Sequence, residues 1–195
     1  DEDDMQPNRV RDSDDDSVQP FASESSVVIL SVQDRRPIGM EIQCLSRPSL
    51  FLLRARISGE ESVKVGDEIP TNSDKLGTPS EVRLKDLKGS AFQELLPSLA
   101  SSISYNPDRH LSFYNSAGPM SLKFHAFQLL PGIGNSKALQ MVRLRGSSGW
   151  ESFEKIDEDC GIESIKLLAE RYVKEMEDVA QTPRLIDLLV RSETN

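Results

Sequence analysis

The distribution of hydrophobic and polar residues divides the chain into a β-type part and a helical part. In the first part, short apolar runs bounded by turn residues predict four strands, at residues 27–30, 38–45, 50–57 and 62–69. Short strands this close together are typical of a small barrel or sandwich and not of a parallel sheet.

The third predicted strand carries two arginines on one face. Leu53, Ala55 and Ile57 alternate with Arg54 and Arg56, so the arginines point away from the apolar side of the strand. They either form a basic strip that contacts a single nucleic-acid strand or simply solvate an exposed sheet face.

From residue 91 the apolar spacing changes to the period of a helix. The first helical segment runs from Ala91 to Ile103, and Pro97 within it predicts a kink or a division. We predict three further helices, one beginning near Ser121, one over 135–145, and one whose apolar positions run from 162 to 176. The apolar stretch 185–190 predicts a short terminal helix that either caps its own domain or docks on a partner.

The formal net charge of −9 argues against a nucleic-acid partner only until it is divided along the chain. Residues 1–24 carry −7 and residues 151–195 carry −6, whereas residues 109–150 contain no acid and carry +5. Segment 1–24 has too few apolar residues to offset the entropy of ordering, so it predicts a disordered acidic arm. The alternative is an arm that docks on a basic partner.

The sequence offers little catalytic or metal-binding chemistry. Cys44 and Cys160 lie too far apart for a paired metal-ligand spacing, which favours a reduced, intracellular protein. His125 is expected to be a core or capping residue, and His110 is expected in a loop without metal-ligand partners. We therefore expect no enzymatic activity, cofactor, metal, small-molecule substrate or membrane span. Because the chain begins with Asp1, a cleaved organellar signal is one interpretation, with the mitochondrial matrix as its compartment and the cytoplasm as the alternative.

The most informative stretch is a turn with two glycines between two predicted helices, Leu130-Pro131-Gly132-Ile133-Gly134. Glycine leaves no side chain between the backbone and an approaching ligand. Ile133 is expected to tuck between the helices, so that the first amides of the next helix face outward and bind a phosphate oxygen. The alternative is a tight turn with no ligand. The candidate nucleic-acid-binding residues are Gly132, Ile133, Gly134, Asn135, Ser136, Lys137 and Arg143, together with Arg54 and Arg56.

A second turn of similar form follows at Cys160-Gly161-Ile162-Glu163. Here Glu163 takes the place of the second glycine, and its carboxylate would repel a phosphate. We therefore predict that the second turn is structural and completes the helical core.

The first turn resembles the helix-hairpin-helix motif, which contacts nucleic-acid backbones without reading their sequence. Together with segments 113–119 and 150–156, it resembles the DUF655 family, a largely archaeal domain-of-unknown-function family of predicted nucleic-acid-binding proteins. The resemblance implies an N-terminal OB-like β-barrel joined to a helix-hairpin-helix unit. The genomic neighbours of the family in archaea are translation and rRNA-modification proteins, so the resemblance favours RNA. The chain departs from the family at Asn135-Ser136, where basic residues are expected.

These observations predict an α+β protein with four parts. They are a disordered acidic arm (1–24), an OB-like β-barrel with a C-terminal helix (25–105), a helix-hairpin-helix domain (106–180) and a C-terminal tail or docking helix (181–195). The predicted function is non-enzymatic binding of RNA, with rRNA preferred, in a component or assembly factor of a ribosomal particle whose proteins are its partners. The alternatives are non-specific DNA binding and a protein–protein adaptor with a purely structural hairpin.

Overall fold

The computed structural model describes residues 21–58 and 62–191, and they form an α+β fold. The strands form an antiparallel sheet in the order β4-β1-β2-β3-β5. They are β1 (Ser26–Asp34), β2 (Met40–Arg47), β3 (Leu52–Ile57), β4 (Glu68–Pro70) and β5 (Ser80–Glu81). The α-helices are α1 (Gly89–Tyr105), α2 (Pro107–Ser116), α3 (Asn135–Arg145), α4 (Phe153–Cys160) and α5 (Ser164–Glu177). Shorter helical turns are the 3₁₀ helices Leu84–Asp86 and Ala126–Leu129 and the π-helical turn Asp187–Arg191.

The sheet is open, with β4 and β5 at its edges, so the described strands do not close into a barrel. The predicted fourth strand is wrong over most of its length, because only its end forms β4. Gly66 has a φ of +90°, and the Asp67 carboxylate accepts the Lys64 amide hydrogen at 3.0 Å, so the chain turns at 64–67. Strand β5 lies after a polar connection that carries no strand-like apolar pattern, and the sequence did not predict it.

The two faces of the sheet are covered by different parts of the chain. On one face, the loop residues Phe21, Val63 and Leu76 pack on a small core of the sheet. The buried residues of this core are Val27, Ile29, Ile42, Cys44, Leu53, Ala55 and Ile57. On the other face, Leu30 and Leu52 join the core of the helices. The predicted alternation of β3 is confirmed, since Arg54 and Arg56 are exposed on the face opposite to Leu53, Ala55 and Ile57.

Helix α1 packs on β1 and β2 and also on α5. It is not divided at Pro97, which lies inside the helix. Because the side chains of α1 share one buried cluster with the sheet and with α2–α5, the sheet and the helices have a common core.

Helix α2 corrects the prediction for His110. The residue lies on a helix, not in a loop, because Pro107 provides a favourable first helical position. Its side chain is buried, and its Nδ1 is hydrogen-bonded to the Tyr172 hydroxyl at 2.6 Å. Burial lowers the pKa of His110 to about 4, with a smaller contribution from Arg109, so the imidazole is neutral at physiological pH.

The predicted helix beginning near Ser121 is also wrong. Residues 118–126 form a tight loop closed by hydrogen bonds from Met120 N to Phe124 O at 2.8 Å and from Ala126 N to Gly118 O at 2.9 Å. The 3₁₀ helix that follows is capped by His125, whose Nδ1 accepts the Phe127 amide hydrogen at 3.0 Å. The prediction that His125 is a capping or core residue is confirmed.

The segment after Pro183 covers the protein's own core. Leu185, Ile186 and Val190 are buried in it. Arg191 donates to the carbonyl oxygens of Ser49 at 3.0 Å and Leu50 at 2.8 Å in the turn between β2 and β3. The last described residues therefore bind the second hairpin of the sheet, formed by β2 and β3.

Most of the predicted acidic arm, residues 1–20, lies outside the described residues. Its last residues belong to the fold, in contrast to the prediction for 21–24. Glu24 is buried, and its Oε1 accepts hydrogen bonds from the Ser46 hydroxyl at 2.6 Å and the Ser49 amide at 2.8 Å.

Both cysteines are free and buried, and burial raises the pKa of the Cys44 thiol to about 12. Within residues 21–58 and 62–191, no three His, Cys, Asp or Glu side chains are grouped so that they could hold a metal ion. None of the helices formed by these residues has both the length and the apolar composition needed to cross a membrane.

Candidate nucleic-acid interface

The glycine-containing turn at 131–134 joins the 3₁₀ helix Ala126–Leu129 to α3. Gly132 is exposed and has a φ of +76°, a conformation that favours glycine. Ile133 is only 9% exposed and packs in the helical core, as predicted. The buried isoleucine fixes the turn to the protein, and the two glycines form its outer surface.

The N-terminus of α3 is open. Gly134 is its N-cap residue and offers no side-chain acceptor. In the described part of the chain, the amides of Asn135, Ser136 and Lys137 have no hydrogen-bond acceptor. A Cβ atom built on Gly132 or Gly134 would meet nothing within 4 Å. Unpaired amides at the positive end of a helix dipole, with no side chain in front of them, can bind an oxyanion.

The second turn has the same form, but a carboxylate of α4 accepts the first amide of the helix that follows it. Asp157 Oδ1 accepts the amide hydrogen of Ser164, the first residue of α5, at 2.8 Å. Ser164 is fully buried, and its hydroxyl donates to Phe153 O at 3.3 Å. The second turn therefore stabilises the fold, as the sequence predicts, and the first amide of its helix is not open to an external anion.

Three cations lie on α3 and have different roles. Lys137 donates through Nζ to the carbonyl oxygen of Cys160, the last residue of α4, so its charge faces the negative end of that helix. Arg145 donates to Tyr114 O at 2.9 Å and Ala117 O at 2.7 Å, and burial lowers the pKa of its guanidinium. Arg143 is exposed in the last turn of α3 and has no acidic partner among the described residues.

Arg54 and Arg56 are exposed, but the structure does not bring them together with the turn at 131–134. Arg54 donates to the Ser80 hydroxyl at 3.0 Å, and Arg56 lies opposite Glu41 in the sheet. Helix α5 has one end near each region. It begins beside the Cys160 end of α4. Its C-terminal end borders a cleft that Leu52 of β3 also lines. The 14 residues of the helix span about 21 Å.

The aromatic residues before the first turn are core residues. Phe113 and Tyr114 are buried, and their rings contact the Phe127 ring, each with centroids 6.2 Å apart. Trp150 is buried as well. Tyr105, which sequence reasoning did not select, is 67% exposed at the end of α1. The Asn-Pro pair after it was the available signal for a helix boundary at this tyrosine.

Comparison with known sequences assigns the chain to a family. The chain belongs to the family described as "Protein of unknown function (DUF655)", which matches residues 31–184. An uncharacterised protein of Methanocaldococcus jannaschii is 27% identical over 97 residues, which are 50% of this chain and 45% of that protein. The matched region thus spans less than half of that relative.

A solved structure shares the fold. The crystal structure of a DUF655 protein from Archaeoglobus fulgidus superposes with a TM-score of 0.75 at 22% sequence identity. The superposition covers 84% of this chain and 99% of the other. The common architecture therefore extends over both the sheet and the helices.

Proposed function

We propose that the protein is a non-enzymatic RNA-binding protein that holds a phosphate group of the RNA backbone at the open N-terminus of α3. The observation that carries the proposal is the difference between its two turns. At the second turn Asp157 accepts the first amide of α5, whereas the corresponding amide of Asn135 at the first turn has no acceptor among the described residues, and Asn135 and Ser136 are exposed. An open set of amides has donors available for an external anion.

The local architecture supports a helix-hairpin-helix interpretation in which the 3₁₀ helix Ala126–Leu129 replaces a longer first helix. The five-stranded sheet, with an apolar core on one face and α1 on the other, supports an OB-like interpretation, because OB folds are partly open five-stranded barrels. In this proposal the first turn contacts the backbone, and the sheet supports the helices that position it.

The charge distribution favours a weak, local contact. The segment that carries the turn has no acid over residues 109–150, but the whole chain has a net charge of −9. Long-range attraction to free nucleic acid is therefore small, and a contact of this kind suits a protein held within a larger particle. We infer that the particle is ribosomal and that the RNA is rRNA, on the sequence resemblance described above.

Substitution of Gly134 tests the proposal. The φ of Gly134 is −89°, which any residue adopts, and its Cβ position is open, so neither Gly134→Glu nor the uncharged Gly134→Gln should disturb the fold. A carboxylate beside the amides would displace a phosphate. We expect Gly134→Glu to bind single-stranded RNA about 10-fold more weakly than Gly134→Gln, as measured by fluorescence anisotropy with the full chain.

The salt dependence gives an independent measurement. A contact with one or two phosphates predicts a slope of about −1 for the logarithm of the binding constant against the logarithm of the salt concentration. Equal affinities of both variants and the unaltered protein would show that the turn is not the contact. Competition with DNA of the same sequence at fixed salt distinguishes RNA from DNA. An adaptor protein would instead retain its protein partner after nuclease treatment, and both Gly134 variants would bind that partner equally.

A further inference from the structure

A cleft of about 660 Å³ lies where the turn between β2 and β3 meets the end of α1. Its polar lining is formed by Ser23, Ser25, Arg47, Ser102, Tyr105 and Asn106. The cleft has a size typical of small-molecule sites. It does not include any residue of the turn at 131–134.

One wall of the cleft is a fixed guanidinium. Arg47 is only 7% exposed, and its Nε donates to the Ser102 hydroxyl at 2.9 Å. Its other nitrogens donate to Glu68 at 3.2 Å and to the Ser101 hydroxyl at 3.4 Å. A guanidinium held by three neighbouring side chains loses little further freedom when a ligand binds.

The Arg47 guanidinium lies against the Tyr105 ring, with its central carbon 4.8 Å from the ring centroid. Tyr105 is nevertheless 67% exposed. The arginine covers one face of the ring, so this exposure leaves the other face open to solvent. An aromatic ring that is supported from behind and open in front is a stacking platform for a planar ligand.

The neighbouring residue supplies polar recognition. Asn106 lies between α1 and α2, and its side-chain amide makes no capping hydrogen bond to α2. A carboxamide presents a donor and an acceptor side by side, which matches the edge of a nucleobase. Ser23 and Ser25 line the same cleft, and the Ser25 hydroxyl donates to the carbonyl oxygen of Arg47 at 3.2 Å.

We propose that this cleft binds an unstacked nucleobase, which stacks on the open face of Tyr105 and is hydrogen-bonded through its edge to Asn106. The base comes either from a single RNA strand or from a free nucleotide. The cleft is separate from the turn at 131–134 and does not depend on the phosphate contact proposed there.

Titration with mononucleotides tests the cleft directly. We expect the four ribonucleoside monophosphates, added to the ¹⁵N-labelled full chain, to shift the side-chain amide signal of Asn106 and the backbone signal of Tyr105. Ribose 5-phosphate, which lacks a base, should leave both signals in place. Absence of shifts with all four nucleotides, or equal shifts with ribose 5-phosphate, would overturn the proposal.

Variants of exposed aromatic residues on α1 identify the role of stacking and the source of the base. Tyr105→Ala should weaken binding of the monophosphates about 10-fold, because stacking on an aromatic side chain contributes this much or more per base. Tyr105→Phe should retain binding. Phe92→Ala, at another exposed aromatic residue of the same helix, should change nothing. If Tyr105→Ala binds the monophosphates as well as the unaltered chain does, stacking is absent and the proposal fails.

The same variants, assayed with a short single-stranded RNA, separate the two proposals. Weaker RNA binding by Tyr105→Ala, but not by Tyr105→Phe, supports RNA as the source of the base. Unchanged RNA binding together with weaker monophosphate binding supports a free nucleotide. If the Gly134 variants retain RNA affinity while Tyr105→Ala loses it, the proposed phosphate contact at the first turn is wrong. The proposal that the cleft at Tyr105 binds a nucleobase is then supported.

Discussion

Replacement of Asp157 by alanine should destabilise the fold by about 2 kcal/mol, because this carboxylate accepts the first amide of α5 at the second turn. Its Oδ1 accepts the amide hydrogen of Ser164 at 2.8 Å, and Ser164 is fully buried. A buried donor without an acceptor costs about 1–3 kcal/mol, and loss of a negative charge at a helix N-terminus costs about 0.3–1 kcal/mol. The higher helix propensity of alanine returns about 0.5 kcal/mol.

Urea denaturation followed by circular dichroism measures this loss, provided that the dependence of the free energy of unfolding on urea concentration stays unchanged. Asp157→Asn keeps an oxygen acceptor and removes only the charge, so it should cost about 1 kcal/mol or less. Glu154→Ala, an exposed carboxylate on the same helix, should change stability by less than about 0.5 kcal/mol. If Asp157→Ala is as stable as Glu154→Ala, the Asp157 carboxylate does not stabilise the second turn. The difference between the two turns would then have no effect on the free energy of unfolding.

Two further predictions concern buried polar groups of the helical core. The pKa of His110 is lowered from 6.5 to about 4, so the unfolded chain takes up a proton that the folded protein does not. The free energy of unfolding should fall by about 3 kcal/mol as the pH falls from 6.5 to 4. His110→Asn should lack this contribution, and parallel stability curves for the two proteins would contradict the assignment. Arg171 Nε contacts Glu175 Oε2 at 2.9 Å, and both side chains are at most 2% exposed. Arg171→Met should therefore cost about 3–5 kcal/mol in urea denaturation, because it leaves a buried carboxylate unpaired. Adding Glu175→Gln should restore part of the loss, and a double variant no more stable than Arg171→Met would refute this explanation.

The parts of the fold that local sequence signals specify were predicted well. Helix α3 runs over Asn135–Arg145, as predicted, because glycines lie immediately before and after an amphipathic segment. The alternation in β3 likewise predicted which face carries Arg54 and Arg56. In β3 the spacing of apolar residues matches the side that the structure buries, whereas in α3 Ala138 and Met141 are buried but Leu139 is 48% exposed.

The prediction of a helix near Ser121 is wrong because the spacing of apolar residues in this segment does not reflect their burial. Leu122 is fully exposed and Phe124 is 39% exposed at a loop tip, so these apolar residues do not mark the inner face of a helix. Neighbouring backbone groups close this loop instead, through the bond from Met120 N to Phe124 O. Apolar spacing alone does not distinguish a closed loop with apolar side chains from a short amphipathic helix.

The sequence predicted the backbone arrangement of the candidate site but not the hydrogen-bond partners of its side chains. The sequence indicated that Ile133 anchors the turn and that the glycines leave it open. It did not indicate that Lys137 binds the carbonyl oxygen of Cys160 or that Asp157 accepts the first amide of α5. The Lys137 contact crosses 23 residues and depends on how α3 packs on α4, which local patterns do not encode.

The contact between Arg191 and the turn at Ser49 and Leu50 has a consequence for folding. It joins Arg191 to residues that lie 141 and 142 positions earlier in the chain. The contact therefore forms only after nearly all of the described residues have left the ribosome. During synthesis, the carbonyl oxygens of Ser49 and Leu50 lack this donor until then, and the Phe51 ring lacks the guanidinium that lies over it. A fragment cut at the limits of the family match, 31–184, would lose both this arginine and the start of β1. Such a fragment should expose apolar surface and aggregate.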